Sequence, residues 1–194
     1  MLLGLDRAWK LGLGPHGLHR LARRLGADVP YFLLGGTALG LSRGDEVYPL
    51  RQQVRAHIVV VDPAVHVSTA GVFARVDASL TPRLNSNSIF HFVSRELEGP
   101  GSFPVLVNGL EEAALEEAPA LREQAGRIRV VLLREGARLA ALSGSGASYF
   151  GLFEGARPAE RARRALAGEG FRALVARTLT LDQYRMAWGW ARAR

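Results

Sequence analysis

The chain has 194 residues and no cysteine, which excludes disulfides, thiolate metal sites and cysteine nucleophiles. Its 48% hydrophobic and 22% charged residues are those of a globular protein, and no apolar run approaches the roughly 18 residues that span a bilayer. The net charge of +7 is almost entirely arginine, Lys10 being the only lysine. Scattered in this way, it suits small anionic substrates and argues against nucleic acid as the main partner.

The first apolar stretch is too short for a secretion signal and meets Asp6 early, which predicts a cytoplasmic protein. Leu2, Leu5 and Trp9 share a helical face, so residues 2–12 read as a helix ended by Gly12 and Gly14. Pro15 opens a second helix with Leu18, Leu21 and Leu25 as its stripe and Gly26 as its stop. "YFLLGGTALGL" reads as a strand interrupted at Gly35-Gly36, and "AHIVVVDPAV" as a buried strand ended by Asp62-Pro63. "STAGVF" reads as a helix start capped by Ser68 or Thr69.

Residues 77–105 read as irregular, with Pro, Gly and Asn throughout. Residues 110–125 keep a helical period that Pro119 restarts or kinks. "RIRVVLLREG" fits either a strand or the end of a helical hairpin. "SYFGLF" reads as a strand and 157–167 as a helix with Ala159, Ala162 and Leu166 inward, its arginines forming a solvated face. "FRALVARTLTL" reads as a closing strand. The pattern predicts an α+β fold, an antiparallel sheet with helices on one face, and a boundary between two lobes near 77–105.

Two stretches hold candidate chemistry. In "LGADVPYFLLGG", Asp28 follows a helix end and precedes Val29-Pro30, a stiff turn. Its carboxylate there could act as a general base or merely accept nearby backbone amides. In "LSGSGASYFGLF", Gly144, Ser145 and Gly146 form either a turn into a strand or a loop whose N–H groups face an anion. No lysine follows, so this is not a Walker phosphate loop. His16 and His19 lie three apart on a helix, but no third metal ligand is near them.

Taken in order, "LGADVPYFLLGGTALGLSRGDEVYPL", "VDPAVHVSTAGVF", "NGLEEAALEEAPALRE" and "LSGSGASYFGLF" resemble the 4-diphosphocytidyl-2-C-methyl-D-erythritol kinase family of the GHMP kinase superfamily. The resemblance runs from Met1 to about Leu181. It implies a GHMP-kinase-like two-lobe architecture, with residues 1–76 in an incomplete N-terminal lobe and 77–194 in a ferredoxin-like C-terminal lobe. It implies an ATP-dependent kinase, with Mg²⁺ as cofactor, phosphorylating the 2-hydroxyl of the cytidine-diphosphate-linked methylerythritol in non-mevalonate isoprenoid biosynthesis. Asp28 matches the family's catalytic aspartate, which takes or orients the hydroxyl proton. Gly144, Ser145 and Gly146 match the third superfamily motif, which supports the nucleotide phosphates, so that loop would be both a turn and a phosphate site.

Members of that family also carry an N-terminal region with a catalytic lysine, cytidine-stacking aromatics and a long glycine- and serine-rich ATP loop. Residues 2–12 match the helix after that loop, and Lys10 does not match the catalytic lysine. The expectation is that these 194 residues alone bind ATP weakly and have little or no kinase activity. The alternatives are a non-catalytic binding domain derived from a GHMP kinase, or a GHMP kinase acting on a different small alcohol. Gly109 stands where the family carries aspartate after an asparagine, so Asn108 is not taken as a site residue. No Mg²⁺ ligand is identified.

Overall fold

Glycine and proline punctuate the N-terminal third, and its helices stop and start at them. The computed structural model describes residues 1–50, 55–79 and 108–187. It divides into two compact units, Met1–Val54 with Leu179–Arg194, and Arg55–Thr178.

In the first unit α1 (Leu2–Ala8) ends before Gly12, because Lys10 already takes a left-handed φ of 54°. The Leu13 N–H donates to Asp6 Oδ1 at 3.0 Å and fixes the link to α2 (Gly14–Leu25). Pro15 sits in the first turn of α2 as expected. The buried residues there are Leu18 and Ala22, one turn apart, while Leu25 in the last turn is exposed. The "YFLL" half of the expected strand is a single helical turn, α3 (Tyr31–Leu34). Pro30, at φ −57° and ψ −36°, starts that turn, and Gly35 at φ +74° ends it.

Only Ala38–Leu41 extends, as β1, and it pairs antiparallel with β2 (Glu46–Pro49), Ala38 opposite Pro49 and Leu41 opposite Glu46. Asp45, in the turn between them, is fully buried. It accepts from Arg23 Nε at 2.8 Å and from Arg43 Nη2 at 3.3 Å. The Arg23 hydrogen bond holds this carboxyl below the usual carboxylate range against the opposing effect of burial, with Arg43 assisting.

In the second unit four strands form one antiparallel sheet: β3 (His57–Asp62), β4 (Leu139–Leu142), β5 (Tyr149–Phe153) and β6 (Arg172–Arg177), in the order β4-β5-β3-β6. Val59 lies opposite Gly151 on one side and Val175 on the other. β3 is a β-branched run in which Val59 and Val61 are fully buried while Ile58 and Val60 are partly so, the two-residue period of a strand covered on one face. The sequence reading puts β3 in the first segment, 1–76, yet its hydrogen bonds run to strands from beyond residue 148.

Among the described residues the helices of this unit are α4 (Thr69–Ser79), α5 (Glu111–Glu117), α6 (Ala120–Arg134) and α7 (Ala156–Gly168). Pro119 is the residue from which α6 starts. "RIRVVLLREG" belongs to α6 through Arg134: Leu121, Ala125, Ile128, Val131 and Leu132 are buried, whereas Val130 and Leu133 are exposed. That is a helical stripe, not strand alternation. In α7, Ala159, Ala162 and Leu166 are fully buried, and Arg163 and Arg164 pair with Glu160. These residues join Tyr149, Phe153, Val59 and Val61 in one core. Gly151 gives α6 room to lie close, since a Cβ there would come within 2.8 Å of Leu132 Cδ2.

The last described helix, α8 (Leu181–Ala187), belongs to the first unit. Tyr184 donates its hydroxyl to the Phe32 carbonyl at 2.6 Å, and a Cβ on Gly35 would collide with its ring. The irregular stretch read at 77–105 lies almost wholly outside the described residues. Among the described residues no helix is long and apolar enough to cross a membrane.

Candidate active site

β4 ends at Leu142 and β5 begins at Tyr149, so residues 143–148 form the turn between paired strands. The Ser143 N–H donates to Ser148 O at 2.8 Å, and the Gly146 N–H to Ser143 O at 3.0 Å. Gly144 at φ +56° and Gly146 at φ +92° occupy the left-handed region, which glycine enters without the Cβ penalty. The Gly146–Ala147 peptide is cis. The N–H groups of Gly144 and Ser145 have no acceptor among the described residues. Two successive unpaired donors in a turn containing a left-handed residue form the kind of concavity that takes an anion.

Two side chains from elsewhere reach this loop. Thr69 Oγ1 lies 2.9 Å from Ser145 Oγ. Thr69 is the first residue of α4, and Ser68 Oγ accepts the Gly71 N–H at 3.1 Å, so the positive end of that helix adjoins the loop. Asn108 Nδ2 donates to Leu142 O at 3.0 Å and to Gly144 O at 2.8 Å. Its Oδ1 accepts the Leu110 N–H at 3.0 Å, just before α5.

Below the loop, the hydroxyl of fully buried Tyr149 donates to Glu111 Oε1 at 2.9 Å, and Arg129 Nη1 holds the same oxygen at 2.9 Å. Burial pushes the Tyr149 phenol well above its ordinary value, the Glu111 carboxylate adds to the effect, and Arg129 opposes it.

Asp28 lies in the turn 27–30 of the first unit and is exposed. Its carboxylate makes no hydrogen bond or ion pair with any described residue, so it is not a turn-capping group. Buried Pro30 stiffens the backbone beneath it. The glycine loop belongs to the second unit. His16 and His19 line an apolar cavity of about 350 Å³ with Leu18, Leu33 and Val47. Among the described residues no group of three or more His, Asp or Glu could hold a metal ion.

Thr69 and Asn108 are what sequence reasoning passed over. Thr69 was legible only as a helix cap. Asn108 carried a signal, since an asparagine two residues before a helical stripe is an Asx turn whose side chain meets the backbone two residues on. Nothing in the sequence showed its second partner, 36 positions away.

Residues 105–173, which contain the loop, Asn108, Glu111, Arg129 and Tyr149, match the family described as GHMP kinases C terminal. The chain carries a GHMP kinase C-terminal domain. It is 37% identical over 165 residues to the 4-diphosphocytidyl-2-C-methyl-D-erythritol kinase of Chlorobium luteolum, covering 81% of this chain and 54% of that one. To the enzyme of the same name from Pelobacter propionicus it is 36% identical over 180 residues, covering 92% and 61%.

A crystal structure of 4-(cytidine 5'-diphospho)-2C-methyl-D-erythritol kinase superposes with a TM-score of 0.66 at 35% identity, over 90% of this chain and 60% of that one. The chain therefore spans somewhat more than half the length of these relatives. A crystal structure of L. major mevalonate kinase, at 17% identity and a TM-score of 0.54, shares the fold, over 91% of this chain and 62% of that one. The α+β architecture read from the sequence is that of the GHMP kinase C-terminal domain and its fold neighbours.

Proposed function

We propose that the protein serves ATP-dependent phosphorylation of the 2-hydroxyl of 4-diphosphocytidyl-2-C-methyl-D-erythritol, the substrate named in its relatives. The observation that carries this reading is the pair of acceptor-free N–H groups at Gly144 and Ser145, in a GHMP kinase C-terminal domain, beside the N-terminus of α4. Such donors are fixed in place before a phosphate arrives and cost nothing to reorient. Gly144, Ser145 and Gly146 are assigned to the nucleotide phosphates.

Asp28 is assigned to the substrate hydroxyl. An unpaired, solvent-facing carboxylate on a stiff turn is free to accept that proton and to aim the oxygen at the γ-phosphorus. The chain's own carboxylates and histidines offer no protein-only metal cage among the described residues, so Mg²⁺ is taken to enter as MgATP, held chiefly by phosphate oxygens. The same reading places the protein in the cytoplasm with its nucleotide.

The test is γ-phosphoryl transfer from MgATP to the cytidyl substrate, with the product weighed by mass spectrometry. Asp28→Asn is expected to lower turnover about 10³-fold, the scale of a lost general base, while ATP affinity is kept. Unchanged turnover in Asp28→Asn, or failure of the wild-type protein to bind ATP at all, would overturn the assignment.

A further inference from the structure

The structure assigns Asn108 as the positioning residue of the glycine-rich loop, a part that neither the family resemblance nor the chemistry of Gly144–Gly146 gives it. One side-chain amide is used three times. Its NH₂ group reaches both the last carbonyl of β4, Leu142 O at 3.0 Å, and the carbonyl of Gly144 at 2.8 Å. Its oxygen takes the Leu110 N–H at 3.0 Å. The opposite amide orientation would set oxygen against two carbonyls and NH₂ against an N–H, so the network permits one orientation only.

The geometry matters because of what it ties down. Gly144 has no Cβ and occupies a left-handed conformation from which glycine escapes readily. Within the turn, only the Ser143–Ser148 and Gly146–Ser143 backbone bonds restrain it. Asn108 pins the carbonyl of Gly144 to the end of β4, and thereby fixes the peptide plane that carries the Ser145 N–H, one of the two acceptor-free donors. On the proposed kinase reading, on which this consequence for the nucleotide rests, the amide presets the phosphate-facing donors without touching the phosphate.

Asn108→Asp separates the two ends of the side chain. A carboxylate still accepts the Leu110 N–H, but offers two carbonyls a repelling oxygen in place of two donors. In amide hydrogen exchange of the nucleotide-free protein, Asn108→Asp is expected to speed exchange at Gly146 at least tenfold, with Ala114 and Leu121 unchanged. Asn108→Ala is expected to loosen the loop and, in addition, the start of α5. ATP affinity, measured by titration calorimetry, is expected to fall at least tenfold in Asn108→Asp.

Unchanged exchange at Gly146 in Asn108→Asp, or equal acceleration at Ala114 and Leu121, would overturn the assignment, the second because it marks general loosening. A loosened loop with undiminished ATP affinity would overturn its link to the nucleotide. A wild-type protein that binds no ATP would sink the kinase reading instead, and exchange alone would then decide the role of Asn108.

Discussion

Removing one oxygen from Tyr149 gives a prediction with a definite sign in pH. The phenol is fully buried and donates at 2.9 Å to a carboxylate oxygen that Arg129 also holds. Tyr149→Phe deletes the donor, not the acceptor, and Glu111 keeps its arginine. The loss therefore falls at the low end for a hydrogen bond to a charged group, about 2 kcal/mol at pH 8. Because the folded-state pKa of Tyr149 is raised, its contribution is fully present below the ordinary value of 10.0 and is lost as pH climbs above it. The unfolded chain releases that proton while the folded one does not. One pH unit above the ordinary value this costs the wild type about 1.4 kcal/mol and costs the phenylalanine variant nothing. Urea unfolding of both proteins at pH 8 and pH 11 should thus show a stability gap that shrinks by about two-thirds. A gap that stays constant or widens would mean that the folded state does not hold the phenol neutral.

Gly144→Ala places a Cβ in open space at φ +56°, so it should cost only backbone strain, about 1 kcal/mol, and lower the urea midpoint with the m-value unchanged. Leu166→Ala empties a fully buried site between α7 and the sheet and should cost about 2–5 kcal/mol, seen as a lower thermal midpoint of the second unit. Arg23→Ala removes the chief partner of buried Asp45. Since that carboxyl is held below its ordinary value of 3.8, its contribution is present above that pH and lost as pH falls through the folded value. Acid titration followed by circular dichroism should accordingly show the variant less stable near neutrality, with the difference closing in acid.

The second unit was the more legible half because its signals agree with one another. The β-branched run of β3, the Ala159, Ala162 and Leu166 stripe of α7 and the closing strand each follow from local period, and each has the partner its pattern demands. α6 resisted because "VVLL" is apolar over a stretch too short to tell strand from helix; the burial of Ile128, Val131 and Leu132 is decided by the sheet beneath. "YFLL" failed for a different reason. Its strand-favouring residues are overridden by Pro30, already in helical conformation, and by Gly35, which must also make way for the Tyr184 ring from a helix far along the chain. β2 gave only four residues ending in proline, below what a pattern can register. At the site, Asp28 and the glycine loop were visible as turn chemistry, whereas Thr69 and Asn108 owe their place to contacts 76 and 36 positions away.

The order β4-β5-β3-β6 also has a consequence for biosynthesis. β3 is made early, yet both its neighbours come late: His57 pairs with Phe153 and with Arg177. At a translation rate of about 5–20 residues per second, the strand emerges on the order of ten seconds before its second partner exists. During that interval Ile58, Val59, Val60 and Val61 form an apolar segment with both edges open, the kind of surface that pairs with whatever strand it meets. The sheet can close only once the ribosome has passed residue 177, and its yield depends on shielding of that segment until then.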